Sequence, residues 1–475
     1  MRRILLSCVG AALAGVAGAV ETSVDFTRET GRLRPALHSS GWTPRSSVRG
    51  VSNDDEIVRS MNLTYARTHD WALVNSAQRV VDYQYVFPLF EKDAKDPSNY
   101  VFGPTDHLLQ LSRNVGLKTF YRLGTSIEHS GSVHFNAAVP NDFNQVAEIF
   151  AGIMRHYNRG FADGKKWNIE YWEIWNEPDG IDNMWCDPVD TRVRGKDKES
   201  DEAYNAARAK RLRASFIRFF VTCLRRLKSE FPEVKIGGPA LCWFNEDYFR
   251  ELLSACKEAG IAPDFISWHY YGSDVNAIPD AGDAARKLCD SFGFANAELV
   301  VDEWHFIPQK DKNGKAVLAR YNDIEAACYE LAVLLRLQTS KIDQAYYYGC
   351  MFDGKYGFKD HEGKLYKTYY AMKLFGEVLK DYPRICGHKQ DSALTALGLK
   401  SEDGNRLAVL VTDYQGEDRV LKVAVKGAEN VKCVTAVALD ETRDLEPVEV
   451  QWTNGELTIV KPSDKSAAYL ISFER

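Results

Sequence analysis

Tyr171-Trp172-Glu173-Ile174-Trp175-Asn176 is a run of aromatic and apolar residues that ends in a polar one. Such residues favour a short buried β-strand. Seven further segments of this kind occur along the chain, and amphipathic helical patterns separate them. The eight strand candidates are Leu33–Gly41, Tyr65–Asp70, Leu117–Leu123, Tyr171–Asn176, Lys235–Gly238, Asp264–His269, Glu298–Glu303 and Gln344–Met351. This alternation predicts an α/β fold, a (β/α)8 TIM barrel with long loops.

The pattern changes towards the C-terminus. From Ser392 onward the helical periodicity gives way to short β-type runs, separated by turn signals such as Asn454-Gly455. These runs predict a small β-sandwich. We therefore expect the barrel to occupy residues 20–388, with residues 20–30 available as an edge strand of the second domain. A C-terminal β-sandwich accessory domain should occupy residues 389–475. A doubly wound open sheet is the competing topology, but no glycine-rich phosphate turn follows any predicted strand.

The first nineteen residues are typical of a secretory signal peptide. Met1-Arg2-Arg3 is basic, Ile4–Val16 is apolar, and Ala17-Gly18-Ala19 has the form of a cleavage site. Removal of residues 1–19 would place the mature protein in the periplasm or outside the cell. The apolar run is too short for a membrane span.

Composition excludes several partners. The net charge of −6 argues against a nucleic-acid partner, which requires a basic face. The cysteines lie scattered, without the paired spacing of a zinc site. We expect no metal and no organic cofactor, and the sequence leaves the oligomeric state open.

Two glutamates end strands that lie across the mouth of the predicted barrel. Glu177 follows the fourth strand and Glu303 ends the seventh, and chemistry in such barrels occurs at the C-terminal ends of the strands. Hydrolysis of a glycosidic bond needs one carboxylic acid to protonate the leaving oxygen and one carboxylate to attack the sugar or activate water. The pair therefore predicts a glycoside hydrolase. A salt bridge to a neighbouring cation is the structural alternative for either residue alone.

Other polar and aromatic residues end the remaining strands on the same side of the barrel. We expect a subset of them to bind the substrate, although each also has a structural interpretation in the core. Arg67 on the second strand is expected either to orient a carboxylate or to form a salt bridge inside the barrel. The candidates for substrate binding are His69, Asn176, His269, Tyr271, Trp304 and Asp353.

Trp172-Glu173-Ile174-Trp175-Asn176-Glu177-Pro178-Asp179 resembles the Asn-Glu-Pro signature of clan A glycoside hydrolases, and within them family 39, the β-xylosidases and α-L-iduronidases. Further segments that are similar to this family are Gly31–Pro35, Ser40–Trp42, Arg67–His69, Gly237–Ala240 and Asp264–Tyr271. The similarity covers nearly all of the mature chain. The sequence departs from the family at Asp302-Glu303-Trp304-His305-Phe306 and at Tyr346–Tyr348, which leaves the identity of the substrate sugar undetermined.

The resemblance implies a retaining double-displacement mechanism with Glu177 as general acid/base and Glu303 as nucleophile. It also implies that Asn176 binds the sugar 2-hydroxyl, that His69 binds another hydroxyl, and that Tyr271 donates a hydrogen bond to the nucleophile. The expected activity is that of an exo-acting β-xylosidase-like enzyme on oligosaccharides derived from polysaccharides. The alternatives are an α-L-iduronidase, a glucosidase, a galactosidase, an arabinosidase, an endo-glycanase, or a carbohydrate-binding protein without activity.

Overall fold

The computed structural model describes residues 20–41, 54–73, 78–127, 136–180, 184–187, 202–310, 317–349, 355–388, 394–429, 431 and 433–474. The predicted signal segment 1–19 and Asp353 lie outside the described residues. The chain divides into two compact units. One runs from Arg32 to Pro383, and the other combines residues 20–31 with residues 384–474.

The larger unit is a closed barrel of parallel strands. In the described part of the chain the strands are β2 (Ser39–Ser40), β3 (Tyr65–Arg67), β4 (Lys118–Leu123), β5 (Tyr171–Ile174), β6 (Lys235–Leu241), β7 (Phe265–Gly272), β8 (Glu298–Phe306) and β9 (Gln344–Tyr347). Each pairs with the next, and β9 pairs with β2. The predicted TIM barrel is confirmed, with β5 as its fourth strand and β8 as its seventh.

Helices alternate with these strands. Those of the described residues are α1 (Asp54–Met61), α2 (Tyr83–Val86), α3 (Gly103–Asn114), α4 (Phe143–Arg159), α5 (Glu202–Glu230), α6 (Glu246–Glu258), α7 (Ala277–Phe292), α8 (Ile324–Leu337) and α9 (Lys367–Asp381). Asp142 and Asp323 accept backbone N–H bonds at the starts of α4 and α8, which satisfies donors that a helix leaves free.

Aromatic side chains fill one end of the barrel interior. This layer consists of Tyr65, Phe120, Tyr171, Phe265, Val300 and Tyr346. Phe120 stacks on Tyr171 with ring centroids 5.6 Å apart. Tyr346 is therefore a core residue. The packed layer closes this end of the barrel, so the polar residues occupy the opposite end.

The smaller unit is a single curled and mostly antiparallel sheet. Its strands are β1 (Val20–Arg32), β10 (Arg384–His388), β11 (Leu394–Lys400), β12 (Arg406–Asp413), β13 (Val420–Lys426), β14 (Cys433–Leu439), β15 (Asp444–Val448), β16 (Gln451–Thr453), β17 (Glu456–Val460) and β18 (Ala467–Glu474). The order is β15-β14-β18-β12-β11-β10-β1-β13-β17-β16. Residues from both halves of this order share one apolar core.

The N-terminal strand β1 lies inside this sheet rather than at its edge. It pairs in parallel with β13, with Val20 opposite Leu421 and Asp25 opposite Lys426, and β10 lies on its other side. Val24 and Phe26 point into the apolar core. The alternation of buried and exposed residues at the start of β1 fixes this register.

Within the described residues, no helix is both long enough and apolar enough to cross a membrane.

Candidate active site

The turn after β5 holds Glu177 in a defined position. Trp175 and Glu177 have φ angles of 77° and 45°, which lie in the left-handed region that few residues with side chains adopt. The neighbouring strands fix this turn, because Trp175 N donates to Leu123 O at 2.7 Å and Glu177 N donates to Ala240 O at 2.8 Å. Gly124 lies beside it, and a Cβ there would lie only 3.0 Å from Trp175 Cα, so a larger residue would require the turn to shift. The strained turn therefore directs Glu177 into the mouth of the barrel.

A bulge in β8 brings two consecutive carboxylates into the barrel. Val301 pairs with Trp268 and Glu303 pairs with His269, so Asp302 is the extra residue between them. A bulge of this kind changes the side to which following side chains point. Asp302 and Glu303 are both buried, and both contact the same cation, Arg67. A regular strand would have directed only one of them inwards.

Arg67 is the centre of the polar network. It has no exposed side-chain surface. Its Nε donates to Glu173 Oε2 at 2.6 Å, and its Nη1 donates to Glu303 Oε1 at 2.8 Å. Its Nη2 donates to Asn176 Oδ1 at 2.7 Å and lies 3.0 Å from Asp302 Oδ2. Burial opposes the charge, but the three carboxylates outweigh it and keep the pKa of Arg67 above its ordinary value. The guanidinium therefore holds Glu173 and Asn176 in a fixed position relative to Asp302 and Glu303 of β8.

The two glutamates predicted from the sequence face each other across the mouth. One oxygen of Glu177, one of Glu303 and a ring nitrogen of His269 all lie within 4.8 Å of one another. His269 Nδ1 is 2.8 Å from Glu177 Oε1 and 3.5 Å from Glu303 Oε2. Tyr271 Oη donates to Glu303 Oε2 at 2.6 Å. Glu177 is the more open of the pair, with 20% of its side chain exposed against 6% for Glu303.

His269 and His69 carry different charges. Burial lowers the pKa of His269, but Glu303 and Asp302 outweigh it, so the pKa lies well above its ordinary value and the ring is a cation. Burial together with Arg122 and Arg67 holds the pKa of His69 well below its ordinary value, and this ring is neutral. Glu177, His269 and Glu303 have donor atoms close enough to surround a metal ion. The same closeness allows a proton to pass between the ring of His269 and the Glu177 carboxylate.

Burial raises the pKa of both glutamates, but their surroundings differ. At Glu177 the hydrogen bond and the charge of His269 reverse the effect, and the pKa lies below its ordinary value. At Glu303 the charges of His269 and Arg67 oppose burial without cancelling it, and the nearby Glu177 adds to the rise. In the resting site Glu177 is therefore ionised, and the neighbouring His269 holds a proton.

A second carboxyl pair lies beneath the first. Glu173 accepts from Arg67 Nε and from Ser267 Oγ, the latter at 2.6 Å, and it adjoins Asp302. Burial raises the pKa of Glu173 to about 8, and the Asp302 carboxylate adds to the rise against the effect of Arg67. The pKa of Asp302 lies below its ordinary value, because Arg67 and His269 outweigh its burial. At neutral pH Glu173 thus holds a proton beside ionised Asp302.

The proton on Glu173 makes the stability of the folded protein depend on pH. The folded protein binds it up to about pH 8, whereas the unfolded chain releases it near the ordinary pKa of 4.5. The stabilisation is therefore present at low pH and is lost as the pH rises towards 8. We expect the Tm of Glu173→Gln minus that of the wild type, measured by circular dichroism, to increase from pH 5 to pH 8.

The matched control is Glu148→Gln. Burial raises the pKa of Glu148, but Arg226 and Arg155 outweigh it and hold it below its ordinary value, so this carboxylate is ionised throughout that range. Its Tm difference from the wild type should not change with pH. A constant difference for Glu173→Gln as well would contradict a proton on Glu173.

The structure brings Asn176 and His69 to the site. Asn176 is buried, and its Nδ2 has no hydrogen-bond partner among the described residues. This donor is thus available to a substrate hydroxyl. His69 Nε2 lies 3.8 Å from Glu303 Oε1. Tyr271 contacts Glu303, as the resemblance to family 39 implied.

Two of the residues predicted to contact the substrate, Trp304 and His269, are buried. Trp304 is fully buried, and its ring packs against Tyr329 of α8 and Tyr347 of β9. It follows Glu303 along the strand and therefore points to the opposite side, towards the helices. His269 has no exposed side-chain surface, and its nitrogens are directed at Glu177 and Asp302. Among the described residues, its ring nitrogens therefore contact the carboxylates.

Sequence reasoning missed Glu173 and Asp302. Glu173 lies in a strand whose described residues are all buried. A buried charge needs a partner, so an acidic residue within this apolar run was a signal that the sequence offered. Asp302 adjoins Glu303, and strict alternation would turn it away from the site. Only the bulge shows that it faces inwards.

A parallel barrel with two facing glutamates at the C-terminal ends of its fourth and seventh strands defines the class of TIM-barrel glycoside hydrolases of the clan A type. No protein-family model matches the chain. The chain is 25% identical over 140 residues to a β-xylosidase of Geobacillus stearothermophilus, a match that covers 29% of this chain and 22% of that protein. It is 18% identical over 379 residues to a β-xylosidase of Caldicellulosiruptor saccharolyticus, covering 72% of this chain and 70% of that protein.

A solved structure shares the fold over most of its length. The structure of a glucosidase from Croceicoccus marinus matches with a TM-score of 0.71 and 19% identity, covering 96% of this chain and 99% of that one. The first of the curated relatives is matched over less than a quarter of its length. Together the relatives and the solved structure indicate a glycoside hydrolase.

Proposed function

We propose that this protein is a retaining glycoside hydrolase with Glu303 as nucleophile and Glu177 as general acid/base. The observation that carries the proposal is the separation of the two carboxylates. One oxygen of each lies within 4.8 Å of the other, which agrees better with the ~5–5.5 Å between the carboxyl groups of retaining enzymes than with the ~6.5–9.5 Å that leaves room for a water in inverting enzymes.

The contacts of each glutamate agree with these roles. Arg67 and Tyr271 donate to the two oxygens of Glu303, and two donors stabilise an anion that attacks the anomeric carbon. As the new C–O bond forms, the glycosidic C–O bond breaks and Glu177 protonates the departing oxygen. Water then attacks the glycosyl-enzyme, Glu177 takes its proton, and Glu303 is released.

The general acid needs a proton, and His269 can supply it. In the resting site Glu177 is ionised and His269 is a cation. A bound sugar displaces water from the partly exposed Glu177, and loss of water raises the pKa of a carboxyl group. Transfer of the proton from His269 Nδ1 to Glu177 Oε1, over 2.8 Å, then yields the acid form.

For the substrate we propose a β-D-xyloside at the end of a short oligosaccharide, cleaved in the manner of family 39. The support is the sequence resemblance together with the two β-xylosidases among the relatives. We further propose that residues 1–19 direct export and that the substrate is met outside the cytoplasm.

A uronic acid glycoside is the second candidate, and one observation favours it. Lys355 Nζ lies over the rings of Tyr321 and Tyr356, at 4.3 and 4.5 Å. Tyr356 in turn contacts Tyr271 and Tyr348, with centroids 6.2 and 5.4 Å apart. This places a cation close to the residues that surround Glu303, where it could bind a sugar carboxylate.

The test is release of 4-nitrophenol from a panel of aryl glycosides, followed by NMR of the first product. The panel contains the β-xyloside, β-glucoside, β-galactoside, α-L-arabinoside and α-L-iduronide. We expect the β-xyloside to be cleaved best, and the first-formed sugar to have the β configuration. Preference for the iduronide that is lost in Lys355→Met would favour the second candidate. A first product of inverted configuration would exclude the covalent mechanism.

A further inference from the structure

Trp243 is an unusually exposed aromatic residue. It follows β6 directly, at the C-terminal end of the fifth barrel strand, and 55% of its surface is accessible. The other large apolar residues that are exposed in the described part of the chain are Leu89, Val101, Tyr204 and Val460. Trp172, Trp175, Trp268 and Trp304 of the barrel are all buried. An exposed indole loses the burial that normally stabilises tryptophan in a fold, so the position calls for another explanation.

The backbone on either side of Trp243 is held firmly. Cys242 N donates to Asp179 Oδ1 at 3.0 Å. The ring of Phe244 packs on Trp268 and Phe249, with centroids 5.3 and 5.7 Å away. Among the described residues the Trp243 ring makes no ring contact or hydrogen bond of its own. The indole is therefore presented to solvent from an anchored segment, which favours a rigid binding surface.

The anchored segment belongs to the same side of the mouth as Glu177. Ala240 O accepts from Glu177 N, and Asp179, which holds Cys242, lies two residues after Glu177. Glu303 is on β8, and β7 lies between β8 and β6, the strand that precedes Trp243. In glycosidic cleavage the general acid adjoins the departing oxygen, while the nucleophile lies on the opposite face of the sugar that is attacked. Trp243 thus lies on the side towards which the leaving group departs.

We propose that the indole of Trp243 is a stacking platform for the sugar ring of the leaving group, next to the acid Glu177. The inference rests on the proposed function and adds the chemistry of the second subsite. That subsite would take a pyranose whose C–H face lies against the aromatic ring, and would be of no use to a leaving group without a ring. The natural substrate is accordingly an oligosaccharide, bound by at least two of its sugars.

The test compares two substrates of the sugar that the wild type prefers: its β-linked disaccharide and its glycosyl fluoride, whose leaving group is a single atom. For Trp243→Ala we expect kcat/KM on the disaccharide to fall about 10- to 30-fold, mainly through KM, as for loss of a tryptophan anchor. On the fluoride it should stay within about twofold of the wild type, since the platform makes no contact there. Trp243→Phe should restore most of the loss.

Val460→Ala is the matched control, because Val460 is equally exposed at 54% but lies in the curled sheet. It should leave both substrates unaffected. Equal losses on disaccharide and fluoride in Trp243→Ala, or no loss on the disaccharide, would overturn the platform while leaving the proposed hydrolase intact. A wild type that cleaves neither substrate would overturn the proposed function and the platform together.

Discussion

Replacing Glu303 with alanine is expected to lower kcat by at least about 10⁴-fold on every glycoside that the wild type cleaves, because the variant has no group to form the covalent intermediate. The free energy lost belongs to the chemical step, so KM should change little by comparison. Azide is small enough to occupy the space of the missing carboxylate. We expect it to restore turnover and to yield a glycosyl azide whose configuration is inverted relative to the substrate, as read by NMR.

The matched variant is Glu303→Gln, which keeps an acceptor for Arg67 but cannot be an anion. It should be as inactive as the alanine variant, with a circular dichroism spectrum like that of the wild type. Substantial turnover by either folded protein would exclude Glu303 as the nucleophile.

The second large effect is expected for Glu177→Ala, and it depends on the leaving group. Substrates with poor leaving groups need protonation, so their kcat/KM should fall about 10²- to 10⁴-fold. A 2,4-dinitrophenyl glycoside needs no acid, and its kcat/KM should stay within about tenfold of the wild type. Its kcat should still fall, because the water that releases the intermediate has lost its base.

Azide needs no base, so it should raise kcat of Glu177→Ala and yield a glycosyl azide with the configuration of the substrate. Opposite azide products from the Glu177 and Glu303 variants would distinguish the two roles within one experiment. A loss in Glu177→Ala that is independent of the leaving group would argue against an acid/base role for this residue.

The sequence was sufficient for the barrel because each strand carries its own local signal. Tyr171–Ile174 is a largely apolar run with Glu177 three residues after it, and Glu298–Phe306 is one that contains Glu303, and strand ends determine which residues meet at the mouth. The pair Glu177 and Glu303 could therefore be predicted without coordinates. Strand β2 consists only of Ser39–Ser40 and is much shorter than the predicted segment Leu33–Gly41. An apolar run in the sequence does not show at which residues the hydrogen-bonded pairing of a strand begins and ends.

Residues whose place depends on irregular backbone could not be predicted. The extra residue in β8 turns the side chain of Asp302 inwards beside that of Glu303. The left-handed turn at Trp175 and Glu177 could not be predicted either, because tryptophan and glutamate normally avoid that conformation. The charge states of Glu173 and His269 depend on which groups Arg67 gathers, and those groups come from strands distant in sequence.

The parallel pairing of β1 with β13 has a consequence for the order in which the chain folds. Val20 is synthesised about 400 residues before its partner Leu421, and a closure over that distance is entropically slow. Until then β1 exposes unpaired backbone and the apolar side chains of Val24 and Phe26, which invite association with other chains. A chain that lacks β13 leaves β1 without this partner, and we therefore expect it to aggregate more readily than a chain that contains both strands.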